Sequence, residues 1–150
     1  VWFFFDVEIK DIAKWDRRYR TINWLRKLRK DKEIRVRLLM TTGCIEYWFM
    51  LHRKFYMPSL QTVAEKEKVI AELKVEEPLY EKGNRGITSK IARDYPVAVT
   101  NARRTVEKLL AEGLPGLEDT DERNRWLQRK CLTFSNVYEA IEFLESLEKL

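Results

Sequence analysis

The sequence predicts an α/β fold: a small parallel sheet with a βαβ crossover, followed by a helix-rich C-terminal half. Three observations carry this. The chain opens on a wholly apolar run, Val1-Trp2-Phe3-Phe4-Phe5, and a second run, Ile34 to Thr41, alternates at first and then turns apolar. Between them, Ile12, Trp15, Tyr19, Ile22, Leu25 and Leu28 recur at spacings of three and four, the stripe of an amphipathic helix. Strand, helix and strand within about 40 residues make a crossover unit, for which parallel pairing and a right-handed connection are the default.

The elements follow in order. A strand over residues 1–6 leads into a helix over 10–30, Asp31-Lys32 breaks the pattern, and the strand 34–41 runs into the core and stops at the turn Thr42-Gly43. A helix from Gly43 to about Phe55 is stopped by Pro58. Residues 60–74 carry the interleaved charges of a solvated helix, and 76–86, with Pro78, Gly83 and Gly86, read as a loop. Helices are expected over 87–93, 96–112 and 136–149, with Gly113 to Gly116 separating the second from an acidic segment, Glu118 to Glu122.

Composition bounds the class. At 150 residues and 45% hydrophobic, the chain reads as one domain, residues 1–150, with a core of its own. The content of five Gly and four Pro argues against long disorder. No apolar run approaches the roughly 18 residues of a membrane span, so a soluble protein with no membrane partner is expected. Cys44 and Cys131 form no Cys-x-x-Cys pair, which indicates neither a zinc site nor a redox motif and leaves buried thiols in a reducing cytoplasm as the default. Val1 stands inside what reads as a core strand, so a further N-terminal segment of the same protein is expected to complete the sheet.

Asp6 and Glu8 hold the most chemical promise. They follow the first apolar run two positions apart, so a strand points both to one side at its C-terminal edge, where open α/β sheets bind ligands. Two readings are open there: solvation of a turn, or a site for a hard cation such as Mg²⁺, which takes one or two carboxylates and keeps waters for substrate phosphates. Glu46 falls in the first turn of the helix leaving the same edge, where either capping or a place in that metal site accounts for it. His52 lies on an apolar helical stripe with Ile45, Trp48, Phe49 and Phe55, the pattern of a satisfied core histidine. Residues 10–37 hold twelve Lys or Arg against four acids, a net of +8 in a chain of +5, so the remainder is −3. Such a face serves either as a solvated helix surface or as a nucleic-acid-binding face.

Several stretches together resemble the RloB-like family: the apolar strand ending Asp6-x-Glu8, then Cys44-Ile45-Glu46-x-Trp48-x-x-x-His52, Tyr80-Glu81-Lys82, Ala98 to Arg103, and Thr133-Phe134-Ser135-Asn136-Val137. The resemblance covers essentially the whole chain. It implies a Toprim-like fold and a metal-dependent nuclease subunit of a phage-defence (abortive-infection) system, a hydrolase that cleaves phosphodiester bonds in DNA or RNA beside an ABC- or AAA-type ATPase. On that reading Asp6, Glu8 and Glu46 are the catalytic carboxylates for Mg²⁺ or Mn²⁺, and Lys14, Arg17 and Arg18 hold substrate phosphates. Glu8 stands where the family usually has a second Asp. Thr41-Thr42-Gly43 and Ile45 also depart from the usual Ser-Asn-Pro and Cys-Phe-Glu, and the glutamate that Toprim domains bring from an upstream unit would have to come from outside these residues. The alternative from a different class is a non-catalytic partner that docks on the ATPase.

Overall fold

The computed structural model describes residues 1–28, 36–130 and 133–148. Strand β1 (Trp2–Val7) and strand β2 (Arg37–Thr42) pair in parallel, with Phe3 opposite Leu38, Phe5 opposite Met40 and Asp6 opposite Thr41. The α/β architecture with its crossover is thus present. The expected break at Asp31-Lys32, the first residues of the second strand, Ile34 and Arg35, the helix ends at 30 and 149, and Cys131 lie outside the described residues.

The crossover is not one helix. Residues Ile9–Lys14 wind as a 3₁₀ helix, and helix α1 (Trp15–Leu28) follows. Asp11 draws Lys14 (2.8 Å) and Arg18 (3.4 Å) onto one carboxylate across this junction. Trp15, Tyr19 and Ile22 are buried and Leu25 is half-buried, whereas Ile12, in the 3₁₀ segment, is exposed. The Trp15 ring meets Phe5 edge-on at 5.7 Å and Tyr19 at 5.4 Å, so α1 covers the β1 face that carries Phe3, Phe5 and Val7.

Leu38, Leu39 and Met40 in β2 are fully buried, as a central parallel strand requires. Part of that burial comes from the far end of the chain. Ser135 bridges Thr41 in antiparallel fashion, and Thr42 N donates to the Phe134 carbonyl at 2.8 Å. The Asn136 side chain continues the pairing in place of a peptide: its Oδ1 accepts from Met40 N at 2.6 Å and its Nδ2 donates to the Leu38 carbonyl at 3.1 Å. Asn136→Ala leaves both backbone groups of β2 buried and unpaired. A loss of about 1–3 kcal/mol is expected in urea unfolding, and a variant as stable as the parent would show that Asn136 does not hold this edge.

Helix α2 (Ile45–Leu51) leaves β2 and is packed by α3 (Val63–Glu76), α4 (Arg85–Ala92) and α5 (Tyr95–Ala111); α7 (Tyr138–Leu147) lies along α5. A capping box starts α3, with Glu65 N donating to Thr62 Oγ1 and Thr62 N to Glu65 Oε2. The acidic segment after Gly116, for which the sequence pattern predicts no helix, leads into α6 (Asp121–Lys130), with Asp121 and Glu122 in its first turn and Arg129 and Lys130 in its last, the arrangement its dipole favours. Apart from Trp126 and Leu127 it has no apolar residues, and beside Leu127 it buries the polar side chains of Arg123, Asn124 and Gln128. Arg123 donates to Glu139 at 2.7 Å, the Leu117 carbonyl at 2.5 Å and Asn124, while its Nη2 is buried 3.7 Å from Asp119 with no hydrogen-bond partner among the described residues. Asp119 also ties Arg26 of α1 to this helix, at 2.7 Å. No helix among the described residues is long and apolar enough to cross a membrane.

Candidate functional site

Gly43 shapes the edge where the two strands end. Its φ of +75° suits glycine, and a Cβ there would meet the Leu60 Cβ at 3.2 Å and the Lys66 Cγ at 3.3 Å. Its N–H donates to the Val7 carbonyl at 2.9 Å, which brings the start of α2 against the end of β1. Glu46, in the first turn of α2, therefore comes close enough to Asp6 for its charge to act on it, although some 40 positions separate them in the chain.

The three carboxylates meet different surroundings. Asp6 is exposed, yet its carboxyl titrates above the usual aspartate range. Neighbouring atoms that strip its hydration are the first cause and the charges of Glu8 and Glu46 the next, while Lys82 and Lys66 pull the other way. Glu8 is held by two ammonium groups on one oxygen: Lys10 lies 2.8 Å and Lys66 2.9 Å from Oε2. The hydrogen bond from Lys10, with that from Lys66, lowers its pKa.

Glu46 is fully buried and not on an open edge. Its Oε1 accepts the Tyr80 hydroxyl at 3.0 Å and lies 3.6 Å from Lys82 Nζ, so its partners come from across the fold and not from the backbone of its own helix. Its Oε2 is buried with no hydrogen-bond partner among the described residues. Burial, followed by the charge of Glu46, pushes the Cys44 thiol up to about 11 and holds the Tyr80 phenol above its ordinary value. His52 is a satisfied core histidine: buried, it donates from Nδ1 to the Trp48 carbonyl at 3.0 Å and packs on the Trp48 ring at 5.1 Å.

The residues expected to hold phosphates lie elsewhere. Lys14, Arg17 and Arg18 border a groove of about 330 Å³ with Phe3, Phe5 and Ile22, on the α1 side of β1. Asp6 projects from the opposite side, because successive side chains of a strand alternate. Lys14 and Arg18 are bound to Asp11, and Arg18 also lies over the rings of Phe5 (5.3 Å) and Trp15 (5.0 Å). The cations nearest Asp6 are Lys10, Lys66 and Lys82. Lys66 carries no mark in the sequence beyond a charge on a solvated helix, whereas Tyr80 and Lys82 stand in one of the quoted stretches without an assigned role there.

Among the described residues no group of three or more His, Cys, Asp and Glu side chains is placed to hold a metal ion. What the edge offers is smaller: an exposed Asp6 beside Glu46, whose Oε2 is buried and unpartnered. That set fits a largely hydrated Mg²⁺ or Mn²⁺, which needs one or two protein carboxylates, and does not fit a closed protein cage. A direct check on the electrostatics is the titration of Asp6 by carboxyl NMR. It is expected above the usual aspartate range and is expected to fall in Glu46→Gln, which removes one of the charges that raise it; an unchanged Asp6 would separate the two groups.

Comparison with known proteins places the chain as a whole. The model of one protein family, described as RloB-like protein, matches residues 1–144. No curated protein and no solved structure matches it.

Proposed function

Because the chain belongs to the RloB-like family, we propose that it is the Toprim-like nuclease subunit of a phage-defence system, cleaving phosphodiester bonds in nucleic acid with Mg²⁺ or Mn²⁺. The observation that supports this best is the exposed Asp6 at the C-terminal edge of the parallel strands, with the charges of Glu8 and Glu46 near enough to raise its pKa, where open α/β sheets bind their ligands. Carboxylates brought close enough to raise the pKa of Asp6 are a destabilising arrangement unless a cation takes up the charge.

Asp6 and Glu46 are the residues that hold the ion, and Glu8 completes the carboxylate edge from its lysine-bound position. A bound divalent cation supplies Lewis-acid polarisation of a phosphoryl oxygen and a water of lowered pKa. The protein's part is to fix the carboxylates: Tyr80 orients Glu46 through its hydroxyl, and the Gly43 turn keeps α2 against β1. The α1 groove with Lys14, Arg17 and Arg18 serves phosphates further along the strand.

The test is incubation of the chain with single- and double-stranded DNA and RNA in Mg²⁺ or Mn²⁺. Cleavage that stops on addition of EDTA is expected. Nucleic acid left intact under all these conditions, with a melting temperature indifferent to both cations, would favour the second reading, a docking subunit for an ABC- or AAA-type ATPase.

A further inference from the structure

We infer that Lys66 and Lys82 form a two-ammonium seat for the phosphate acted on at Asp6, with Glu8 and Glu46 as the positioning residues that hold the two cations in place. This rests on the nuclease reading for its substrate but not for its anion site. The two lysines come from different parts of the chain, Lys66 from α3 and Lys82 from the turn before α4, and they reach the two carboxylates that flank Asp6. Both act attractively on Asp6 itself.

Charge makes such a seat necessary. A phosphodiester approaching Asp6 meets the carboxylates of Asp6 and Glu8 with the charge of Glu46 buried beside them, and with α1 on the other side of β1 the cations acting on Asp6 include Lys10, Lys66 and Lys82. The two proposed lysines are prepared differently. The stem of Lys66 is packed against the Gly43 turn and its side chain is 19% exposed, so its Nζ is already placed. When Lys66 turns to an anion, Glu8 keeps Lys10 on the same oxygen, and no carboxylate is left unpaired. Lys82 is 79% exposed and stands 3.6 Å from Glu46 Oε1, beyond hydrogen-bonding distance. The pair joins an exposed ammonium to a carboxylate whose side chain is 1% exposed, and at 3.6 Å it makes no hydrogen bond, whereas a phosphate oxygen offers the ammonium a short charge-assisted bond. Lys82 therefore takes a phosphate oxygen without breaking a hydrogen bond, and Glu46 retains the Tyr80 hydroxyl.

The experiment uses the full chain, a labelled single-stranded oligonucleotide, and the variants Lys82→Ala, Lys82→Arg and Lys66→Met, the last of which keeps the packed stem. In EDTA, the slope of log affinity against log salt is expected to shrink by about 0.7 for each lysine removed and to be restored in Lys82→Arg. In Mn²⁺, kcat for cleavage is expected to fall about 10²-fold in Lys82→Ala, with a smaller change in KM. Circular-dichroism melting checks that Lys82→Ala stays folded, and Lys82→Arg, which keeps the charge beside the buried Glu46, should match the parent. An unchanged slope and kcat in Lys82→Ala, alongside lost cleavage in Asp6→Asn, would overturn the seat and leave the nuclease reading standing. A reduced slope in a protein that cleaves nothing would uphold the anion seat and overturn the nuclease reading.

Discussion

Replacing Asp6 by Asn is expected to remove divalent-cation-dependent cleavage, by about 10³-fold or more in kcat, while the protein stays folded and melts no lower than the parent at neutral pH. The second half of this expectation follows from the direction of the Asp6 shift. Its pKa in the folded chain lies above the value of 3.8 for a free aspartate, so the native state binds this proton more tightly than the unfolded chain does. As pH rises through the folded pKa, the charge on Asp6 becomes a cost to the fold that Asn does not carry. The melting temperatures of parent and variant should therefore converge in acid and separate, in favour of the variant, toward neutral pH. Loss of activity together with a lower melting temperature would mean that Asp6 supports the structure, and cleavage that survives in Asp6→Asn would remove the metal site altogether. A gain in stability on losing a catalytic charge is the usual trade at a strained site.

Trp15→Ala is expected to produce the largest loss of stability of any substitution considered, about 3–5 kcal/mol, a fall in melting temperature on the order of 10 °C for a chain of this size. Trp15 is 1% exposed and joins β1 to α1 through contacts with Phe5 and Tyr19, while Arg18 lies over its ring at 5.0 Å. Its truncation opens a cavity on the α1 side of the sheet and frees the start of the helix. The indole Nε1 is buried without a hydrogen-bond partner among the described residues, so Trp15→Phe deletes an unsatisfied donor while keeping a ring, and is expected to cost far less than Trp15→Ala. Guanidinium unfolding of both variants checks the pair. If the two cost the same, ring packing is not what Trp15 contributes.

Much of this protein was legible in its sequence because the signals are local. The apolar run of β1, the alternation entering β2 and the stripe through Trp15, Tyr19 and Ile22 each reflect a periodicity of the element itself, and together they specify the crossover. Gly43 at the turn and the apolar setting of His52 were readable for the same reason. Helix α6 was not readable, because its buried side chains other than Leu127 are Arg123, Asn124 and Gln128, and the first two look like surface until Asp119, Glu139 and the Leu117 carbonyl are in place around them. Nor could the winding of Ile9–Lys14 be read, since the ion pairs of Asp11 across that junction follow from the path of the backbone and not from spacing alone.

The carboxylate edge divides in the same way. Asp6 and Glu8 stand two apart on a strand, and that much is set by the order of residues. Which cations meet them depends on chain segments that only the fold brings near: Lys66 from a helix of unremarkable charge pattern, Lys82 and Tyr80 from a turn before another. The same folding puts the basic face of α1 on the opposite side of β1 and buries Glu46 under Tyr80. Electrostatic partnership depends on distance in space, and a sequence records only distance along the chain; the carboxylates were therefore visible from composition and spacing, while the lysines that balance them were decided by tertiary structure.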